Sequence, residues 1–286
     1  MRNAILQRLM FMAITVLVGG FLSATLVRYA PGFGTDERLL DARLSSESKE
    51  AIRKEAVEER SVVHYYTVSL QRVLQGDLGT SRSLQRPVSR LLAERGAVTL
   101  TLAVMGLAGA WGAAVLLVFT TWLLHSRALE TAFAVAGGAL LCLPSGAVAL
   151  LLLLWNGPGF VALALVVFPK VYSYLGNLVK AAAGMPHILT ATATGISGSR
   201  VLFWHVLPVI RREVAALAGV SLGLALSAAI PVEALGGIPG VGQLAWHAAL
   251  ARDLPVLLSV TLLVIACTVL ANSGADLLGD NRSGPS

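Results

Sequence analysis

The stretch TATATGISGSRVLFWHVLP, residues 190–208, interrupts the apolar part of this chain. It is polar, contains Gly195 and Gly198, and is closely followed by two arginines, whereas the sequence on either side of it is almost purely apolar. A polar island between apolar tracts of this length predicts a surface that a membrane protein presents to a soluble partner. The rest of the chain decides whether that interpretation holds.

Composition indicates a membrane protein. Charged residues make up 13% of the sequence and hydrophobic residues 56%, with a mean hydropathy of +0.74, whereas a soluble domain carries about 25% charged residues. The formal net charge of +6 does not indicate nucleic-acid binding, because the basic residues are dispersed between apolar segments. We therefore expect an integral membrane protein whose basic residues set its orientation and which has no nucleic-acid partner.

Six apolar segments are long enough to cross a bilayer core of about 30 Å at about 1.5 Å per residue. The first is longer than the apolar region of a signal peptide, about 7 to 15 residues, and no small-residue cleavage site follows it. We expect it to be a retained helix, so that six membrane helices put both termini on one side. The segments are residues 5–27, 98–124, 131–155, 160–178, 214–230 and 255–271.

The segments between the predicted helices suggest the domain organisation and the orientation. A charged amphipathic helix is expected at EAIRKEAVEER, residues 50–60. With a cytoplasmic N-terminus, the short inner loops carry Arg127, Lys180 and Arg200, as the positive-inside rule requires. The predicted parts are an N-terminal helix at 1–30, an extracytoplasmic subdomain at 31–95, a five-helix core at 96–275 with a cytoplasmic loop at about 180–212, and a cytoplasmic tail at 276–286.

The chain lacks the motifs of a transporter that binds ATP or couples to an ion gradient by itself. None of its lysines precedes a serine or threonine, so it contains no phosphate-binding loop GxxxxGK[ST]. The six apolar segments contain no Asp, Glu or His, which ion-coupled carriers place there. HExxH is absent, and GISGS at 195–199 lacks the final glycine of GxSxG. We expect no catalytic residue, cofactor or metal, and we interpret Cys142 and Cys267 as packing residues.

Short motifs along nearly the whole chain resemble those of one family of transport proteins. In chain order they are APG at 30–32, GDLGTS at 76–81, Pro87 and Val88, R-x-x-x-T-L at 95–100, Gly195 followed after nine residues by HVLP at 205–208, E-x5-PGxG at 233–242, and ARD at 251–253 with Pro255. This order is similar to the membrane (permease) subunit of bacterial ABC importers, in the dipeptide/oligopeptide/nickel permease family. No single motif carries the resemblance alone.

The resemblance implies an all-α polytopic membrane protein with six transmembrane helices of the ABC-importer permease type and a periplasmic subdomain after the first helix. The implied partners are a second homologous permease, two cytoplasmic ABC ATPases that hydrolyse ATP, and an extracytoplasmic substrate-binding protein, at the bacterial inner membrane. The implied solute is a peptide or a similar small molecule, with nickel, sugars and opines as alternatives. Two other functions stay open: a secondary carrier or channel, and a permease homologue with weakened ATPase coupling.

The resemblance also implies two sets of site residues. The ATPase-coupling set is Thr190, Ala191, Ala193, Gly195, Arg200, His205, Leu207 and Pro208. The set at the translocation path or external gate is Glu233, Pro239, Gly240, Gly242, Arg252 and Asp253. The alternative for the first set is an ordinary interfacial helix with snorkelling arginines. The alternative for Glu233 is a structural pairing with a backbone group or an arginine.

Residue types predict the local structure of the coupling loop. Its small residues form one face of a short helix, and Gly195 provides a turn with positive φ. Ser197 or Ser199 caps a second helix, which Pro208 interrupts. Two positions that are basic in peptide-type family members are Thr192 and Thr194 here, which bears on how an ATPase docks. The second helix is expected to bury Val201, Leu202, His205 and Val209, with Arg200 and Arg211 pointing away.

Overall fold

A computed structural model describes residues 2–29, 62–124, 126–155 and 157–280. Regular secondary structure in these ranges is helical, and one isolated bridge joins Thr80 and Pro87. The all-α class predicted from the sequence is therefore confirmed for the described part of the chain. The predicted charged helix at 50–60 and the APG turn lie outside the described residues.

The helices follow one another with short connections. We number them α1 to α11 in chain order, and a π-helical turn at Leu202–Val206 separates α8 from α9. The bounds are α1 Arg2–Tyr29, α2 Val62–Leu74, α3 Val88–Leu124, α4 Arg127–Leu141, α5 Ser145–Leu154, α6 Gly159–Ala183, α7 Pro186–Ala193, α8 Gly198–Val201, α9 Leu207–Gly236, α10 Val241–Leu250 and α11 Leu254–Asp280.

Four of the described helical stretches are long and apolar enough to cross a membrane, and a bent pair of shorter helices makes a fifth if it is counted as one span. Within α1, the apolar stretch among residues whose side chains are described is Ala13–Leu26. The described part of the chain thus contains four or five candidate spans. They are Val88–Leu124, Gly159–Ala183, Gly198–Gly236 and Leu254–Ala271, with the bent pair Ala128–Leu141 and Ser145–Leu154.

The predicted single span at 131–155 is wrong as an unbroken helix. The chain turns by 97° between α4 and α5. Pro144 stands at the turn in an extended conformation, with φ −60° and ψ 140°. It has no N–H to donate to the preceding helical turn, and it disfavours the helical conformation at the residue before it. The apolar run continues through this break, so hydropathy alone does not reveal it.

Several helices are longer than their predicted apolar runs, and α6 and α9 are two of them. Helix α6 extends the predicted 160–178 as far as Ala183. Helix α9 extends the predicted 214–230 at both ends, because Pro208 falls in its first turn, where a proline is tolerated. Its other end is set by Gly237, which takes the left-handed conformation at φ +65°. The helix therefore includes Glu233 beyond the apolar run.

Contacts divide the chain into two compact units. The first comprises residues 1–96 and 244–266. Its apolar core contains Ala24, Tyr66 and Leu262, and the Tyr66 hydroxyl donates a 2.7 Å hydrogen bond to the Leu17 carbonyl. Residue 20 is a glycine, and a Cβ at this position would come within 3.0 Å of Tyr66 and Leu262. The core of this unit thus depends on close packing around one aromatic side chain.

The second unit comprises residues 97–243 and 267–286. Within it, α6 packs against α4, α5 and α9, and α9 also packs against α5. Helix α3 buries a stripe of small side chains at helical spacing and exposes Leu100 and Leu116 on other faces. Small residues on a buried face let helices in a bilayer approach closely. The buried stripe is Ala103, Gly106, Ala110 and Ala114.

Gly106 tests this packing. A Cβ at residue 106 would lie within 3.0 Å of Leu163, which is fully buried on α6, whereas a Cβ at Gly112 on another face of α3 would meet nothing within 4 Å. We expect Gly106→Leu to cost about 1–3 kcal/mol through overpacking and Gly112→Leu to leave stability unchanged. Thermal unfolding in detergent compares the two variants. Equal unfolding temperatures would contradict the close approach of α3 and α6.

Candidate functional site

The coupling segment, defined as residues 186–208, begins directly after α6. Met185 takes an extended conformation, with φ −74° and ψ 140°, and Pro186 starts α7, where its missing N–H costs no hydrogen bond. Helix α7 is attached to the second unit by Ile188 and Ala191, which are buried. On another face Leu189 is 55% exposed. A short helix therefore presents an uncharged surface with one large apolar side chain.

The threonines of TATATG are satisfied within their own helix. Thr190 donates to the Pro186 carbonyl at 2.9 Å, and Thr192 donates to the Ile188 carbonyl at 2.9 Å. Thr194 makes a similar bond to the Ala191 carbonyl at 2.9 Å. Such bonds between a side chain and its own helix occupy the hydroxyl hydrogens. The three threonines therefore give this segment a neutral surface, and their hydroxyl hydrogens are not available to a partner protein.

The turn after α7 agrees with one local prediction and corrects another. Gly195 has φ +80°, and a Cβ there would meet nothing within 4 Å. Backbone conformation, and not crowding, therefore favours glycine at this position. Ser197 occupies the N-cap position of α8, but its side chain makes no capping hydrogen bond. Ser199 lies inside α8, so neither serine caps the helix through its hydroxyl as predicted.

A π-helical turn connects α8 to α9 and is related to Pro208. In an α-helix the residue at 208 would donate to the carbonyl of Trp204, but proline has no N–H and its ring crowds that carbonyl. In the structure Leu207 donates instead to the Leu202 carbonyl, five residues back. Pro208 thus interrupts the α-helical hydrogen bonding, as predicted, but the chain widens into one π turn and continues as one helical stretch.

The π turn also changes which residues are buried. One extra residue per turn shifts the buried face from the predicted positions 205 and 209 to Val206 and Ile210. Val209 is 37% exposed, so its predicted burial is wrong. His205 is half-buried, and its Nδ1 is buried without a hydrogen-bond partner among the described residues. Val201 and Leu202 are buried and Arg200 and Arg211 are exposed, as predicted.

A hydrogen bond connects the coupling segment to α3 at the start of α8. The indole N–H of Trp122 donates a 2.9 Å hydrogen bond to the Gly198 carbonyl. Trp122 also lines a cavity of about 480 Å³ bordered by α3, α4 and α6. Lys180 on α6 forms an ion pair with Glu130 on α4 at this cavity. No sequence pattern indicates the Trp122 bond, which links residues 76 positions apart.

Glu233 is fully buried near the end of α9 and holds the PGxG turn. The Gly242 N–H donates a 2.6 Å hydrogen bond to Glu233 Oε2. The Thr99 side chain lies beside the same carboxyl group and accepts a 2.8 Å hydrogen bond from the Val241 N–H. A Cβ at Gly240 or Gly242 would come within 3.0 Å of the Glu233 carboxyl group. Glu233 is therefore paired with backbone in this structure, which was one of the two alternatives.

A second buried carboxylate, Asp253, belongs to the first unit. Its Oδ2 accepts hydrogen bonds from the Ser81 hydroxyl at 2.6 Å, the Ser83 hydroxyl at 2.8 Å and the Ser83 N–H at 3.0 Å. Burial by itself raises the pKa of the Asp253 carboxyl, but the hydrogen bonds from Ser81 and Ser83 outweigh burial and hold this pKa below its ordinary value. GDLGTS and ARD, separate motifs in the sequence, thus meet in one polar cluster.

The remaining residues of the set predicted at the translocation path or external gate differ in exposure. Pro239 and Arg252 are exposed, and Arg252 has φ +54°, which is uncommon for a residue other than glycine. The structure therefore groups Glu233 with Gly240 and Gly242, and Asp253 with Ser81 and Ser83. Sequence motifs identified Glu233 together with its partner Gly242, and identified Asp253 without its pairing with Ser81 and Ser83. Metal-ligand clusters of three or more His, Cys, Asp or Glu do not occur among the residues with defined placement.

These features define a helical membrane protein that presents a short surface helix and buries two carboxylates in its connecting turns. Residues 118–282 match the family described as "Binding-protein-dependent transport system inner membrane component". The chain belongs to this family. It is a permease subunit of a binding-protein-dependent ABC transport system and crosses the inner membrane several times.

Curated relatives extend the similarity beyond the family match. The chain is 27% identical to a glutathione transport system permease protein of Pectobacterium atrosepticum, over 97% of this chain and 96% of the relative. A Salmonella typhimurium glutathione transport system permease protein is 26% identical over the same shares. An oligopeptide transport system permease protein of Haemophilus influenzae is 31% identical over 43% of each chain. The predicted family and the predicted transport role, in place of an enzymatic one, agree with these matches.

Gly240 tests the role of the Glu233 carboxyl. We expect Gly240→Ala to cost about 1–3 kcal/mol because its Cβ would overlap that carboxyl group. Gly236→Ala is the matched control, since its Cβ would meet Ile238 at an ordinary 3.5 Å. Thermal unfolding of both purified variants provides the measurement. Full stability of Gly240→Ala would show that the PGxG turn does not pack on Glu233 as described.

Asp253 makes stability depend on pH. Folding lowers the pKa of this carboxyl, so its contribution is complete at neutral pH and is lost as the pH falls through the folded-state pKa. We expect Asp253→Asn to lower the unfolding temperature at pH 7, by the equivalent of about 1–3 kcal/mol, and to differ less from the wild type only at pH values below the ordinary aspartate pKa of about 4. Asp77→Asn, on the exposed Asp77, is the control. A pH-independent difference would contradict the assignment.

Proposed function

We propose that this permease imports peptides or glutathione-like small peptides, and that cytoplasmic ATPases drive it through the coupling segment. The near-full-length similarity to glutathione transport permeases and the shorter similarity to an oligopeptide permease support the solute class. The observation that carries the coupling proposal is the surface of α7, which is exposed, uncharged and joined to the bundle at both ends. A second homologous permease completes the translocation path, and an extracytoplasmic binding protein delivers the solute.

The proposed topology has six spans and a cytoplasmic N-terminus. Helix α1 contains 28 residues, enough to cross a core of about 30 Å at about 1.5 Å per residue. Counting α1 and the bent pair as spans puts both chain ends on one side. Trp204 and Trp155 are exposed near opposite ends of candidate spans, consistent with the aromatic residues found at membrane interfaces. The binding protein then meets the extracytoplasmic subdomain at 31–95.

The proposed coupling works by shape and apolar contact. An ATPase groove receives α7 with Leu189 at its centre, and the threonines add no charge to the contact. Displacement of α7 passes to α6 through the short connection at 184–185. It also passes to α3 through the hydrogen bond between Trp122 and Gly198. In this proposal Thr190, Ala191, Ala193 and Gly195 form the docking helix and its turn, and Arg200, His205, Leu207 and Pro208 form the joint.

The external site residues have two proposed roles. Pro239 and Arg252 are exposed and meet the binding protein or the entering solute. Glu233, with Gly240 and Gly242, keeps the PGxG turn in one conformation. Asp253 does the same for the GDLGTS turn through Ser81. The buried members of the external set thus position the turns, while the exposed members make the contacts.

Leu189 tests the coupling proposal. We expect Leu189→Asp to reduce ATPase co-purification and ATP-driven uptake of glutathione or a labelled dipeptide at least tenfold, because the charge must be desolvated in the docked groove. Leu84→Asp is the matched control, since Leu84 is 47% exposed in the first unit, outside the coupling segment. Both variants should keep the wild-type unfolding temperature. Reconstitution into liposomes with the partner subunits provides the assay.

The outcomes separate the alternative functions. Uptake that persists with an ATPase-dead partner would indicate a secondary carrier or channel and would refute the coupling proposal. An intact wild-type chain that binds no ATPase would indicate a homologue whose coupling has weakened. Coupled uptake of nickel, a sugar or an opine, without uptake of peptides, would retain the mechanism and change the solute.

A further inference from the structure

A cavity of about 240 Å³ lies within the first unit, apart from the coupling segment and the Glu233 turn. It is bordered by α2, the GDLGTS turn and the start of α11. Its apolar walls include Val68, Val73 and Leu258. The volume is below the usual range of about 300–1,000 Å³ for sites that take drug-sized ligands. A small molecule, or the polar end of a larger one, fits this space.

Two polar groups at the cavity make no hydrogen bond or ion pair among the described residues. Ser259 lines the cavity and is 5% exposed, yet its hydroxyl has no partner there. Arg72 also lines the cavity, and its guanidinium forms no ion pair with any described carboxylate. The Ser259 hydroxyl is not among the buried atoms that lack a partner, so it is open to the cavity, where a bound molecule or water can pair with it. The Ser259 hydroxyl and the Arg72 guanidinium both supply hydrogen-bond donors.

The charge of the lining favours an anion. Arg72 and Arg82 are the two arginines of the lining, of which Arg82 already has a partner, and Asp77 is its one carboxylate. An oxygen of that carboxylate already accepts a 2.8 Å hydrogen bond from the Gly79 N–H. Guanidinium groups bind carboxylate and phosphate oxygens in a fixed geometry. The cavity therefore combines the Arg72 guanidinium, the Ser259 hydroxyl and apolar walls.

The Asp253 cluster fixes the turn that carries one of these arginines. Ser81 and Ser83, on either side of Arg82, both donate to Asp253. Asp253 directly precedes α11, which carries Ser259. The same buried carboxylate therefore positions two parts of the cavity wall, and no folding step is needed to assemble them around a ligand.

We propose that this cavity binds an oxyanion, the phosphate or carboxylate group of a small molecule or of a lipid headgroup, with Arg72 and Ser259 as its ligands. The site is separate from the coupling segment, and its binding does not require ATP or the partner subunits. Because a phosphate group can come from the membrane or from solution, the experiment has one arm for each source.

The soluble arm uses inorganic phosphate. The full chain, purified in detergent, is titrated with sodium phosphate against sodium chloride at equal ionic strength, and the unfolding temperature is recorded. The membrane arm measures phospholipid phosphorus retained per protein after purification. We expect binding in at least one arm, and we expect Arg72→Gln and Ser259→Ala to weaken it about tenfold, as the loss of one charge-assisted hydrogen bond predicts.

Arg90→Gln is the matched control, because Arg90 is an exposed arginine of the same unit that does not line the cavity. It should bind phosphate and retain phospholipid as the wild type does. Arg72 is exposed, so Arg72→Gln should fold normally and carries the test even if Ser259→Ala is unstable. The proposal is overturned if the wild type shows neither phosphate stabilisation nor retained phospholipid, or if Arg72→Gln matches the wild type in both.

Discussion

One end of the second unit depends on one buried carboxylate. Glu233 lies near the end of a long apolar helix, and its side chain has no exposed surface. An acidic group in that position requires hydrogen-bond donors. The backbone N–H of Gly242 provides one, and it reaches the carboxylate only because neither glycine of the PGxG turn has a side chain. The spacing of the motif follows from this contact. Five residues separate Glu233 from Pro239 because the helix must end before Gly237 and the chain must return to the carboxyl group.

Much of the fold could be predicted from apolar run length, and the exceptions have a common cause. Hydropathy records side-chain transfer to lipid but not the hydrogen bonds of the backbone. The break at Pro144 and the π turn before Pro208 both arise where proline removes a backbone donor from an otherwise helical stretch. Each proline was visible in the sequence. Its effect was not, because one proline bends the chain by 97° and the other is absorbed by a single widened turn.

The candidate site could be predicted only in part, because a sequence shows local motifs but not contacts between distant residues. Motifs identified Glu233, Asp253 and Gly195, because special residue types at fixed spacing are visible in one sequence. The partner of Asp253 could not be found this way. Ser81 lies 172 residues from Asp253, and no local pattern records a contact over that distance. The threonines of the coupling segment show another limit: their composition suggests a polar surface, but in the structure their hydroxyl hydrogens are directed to their own helix.

The π turn at Leu202–Val206 has a consequence at the opposite end of the same helix. An α-helix advances about 100° per residue around its axis, so one additional residue in a turn rotates everything that follows by about that angle. Glu233 lies 27 positions after Val206 on a continuous helix. The direction in which its carboxylate points relative to α3, which carries Thr99, is therefore set partly by the π turn. The two ends of α9 share one rotational register, and the count of residues near Pro208 affects whether Glu233 faces Thr99.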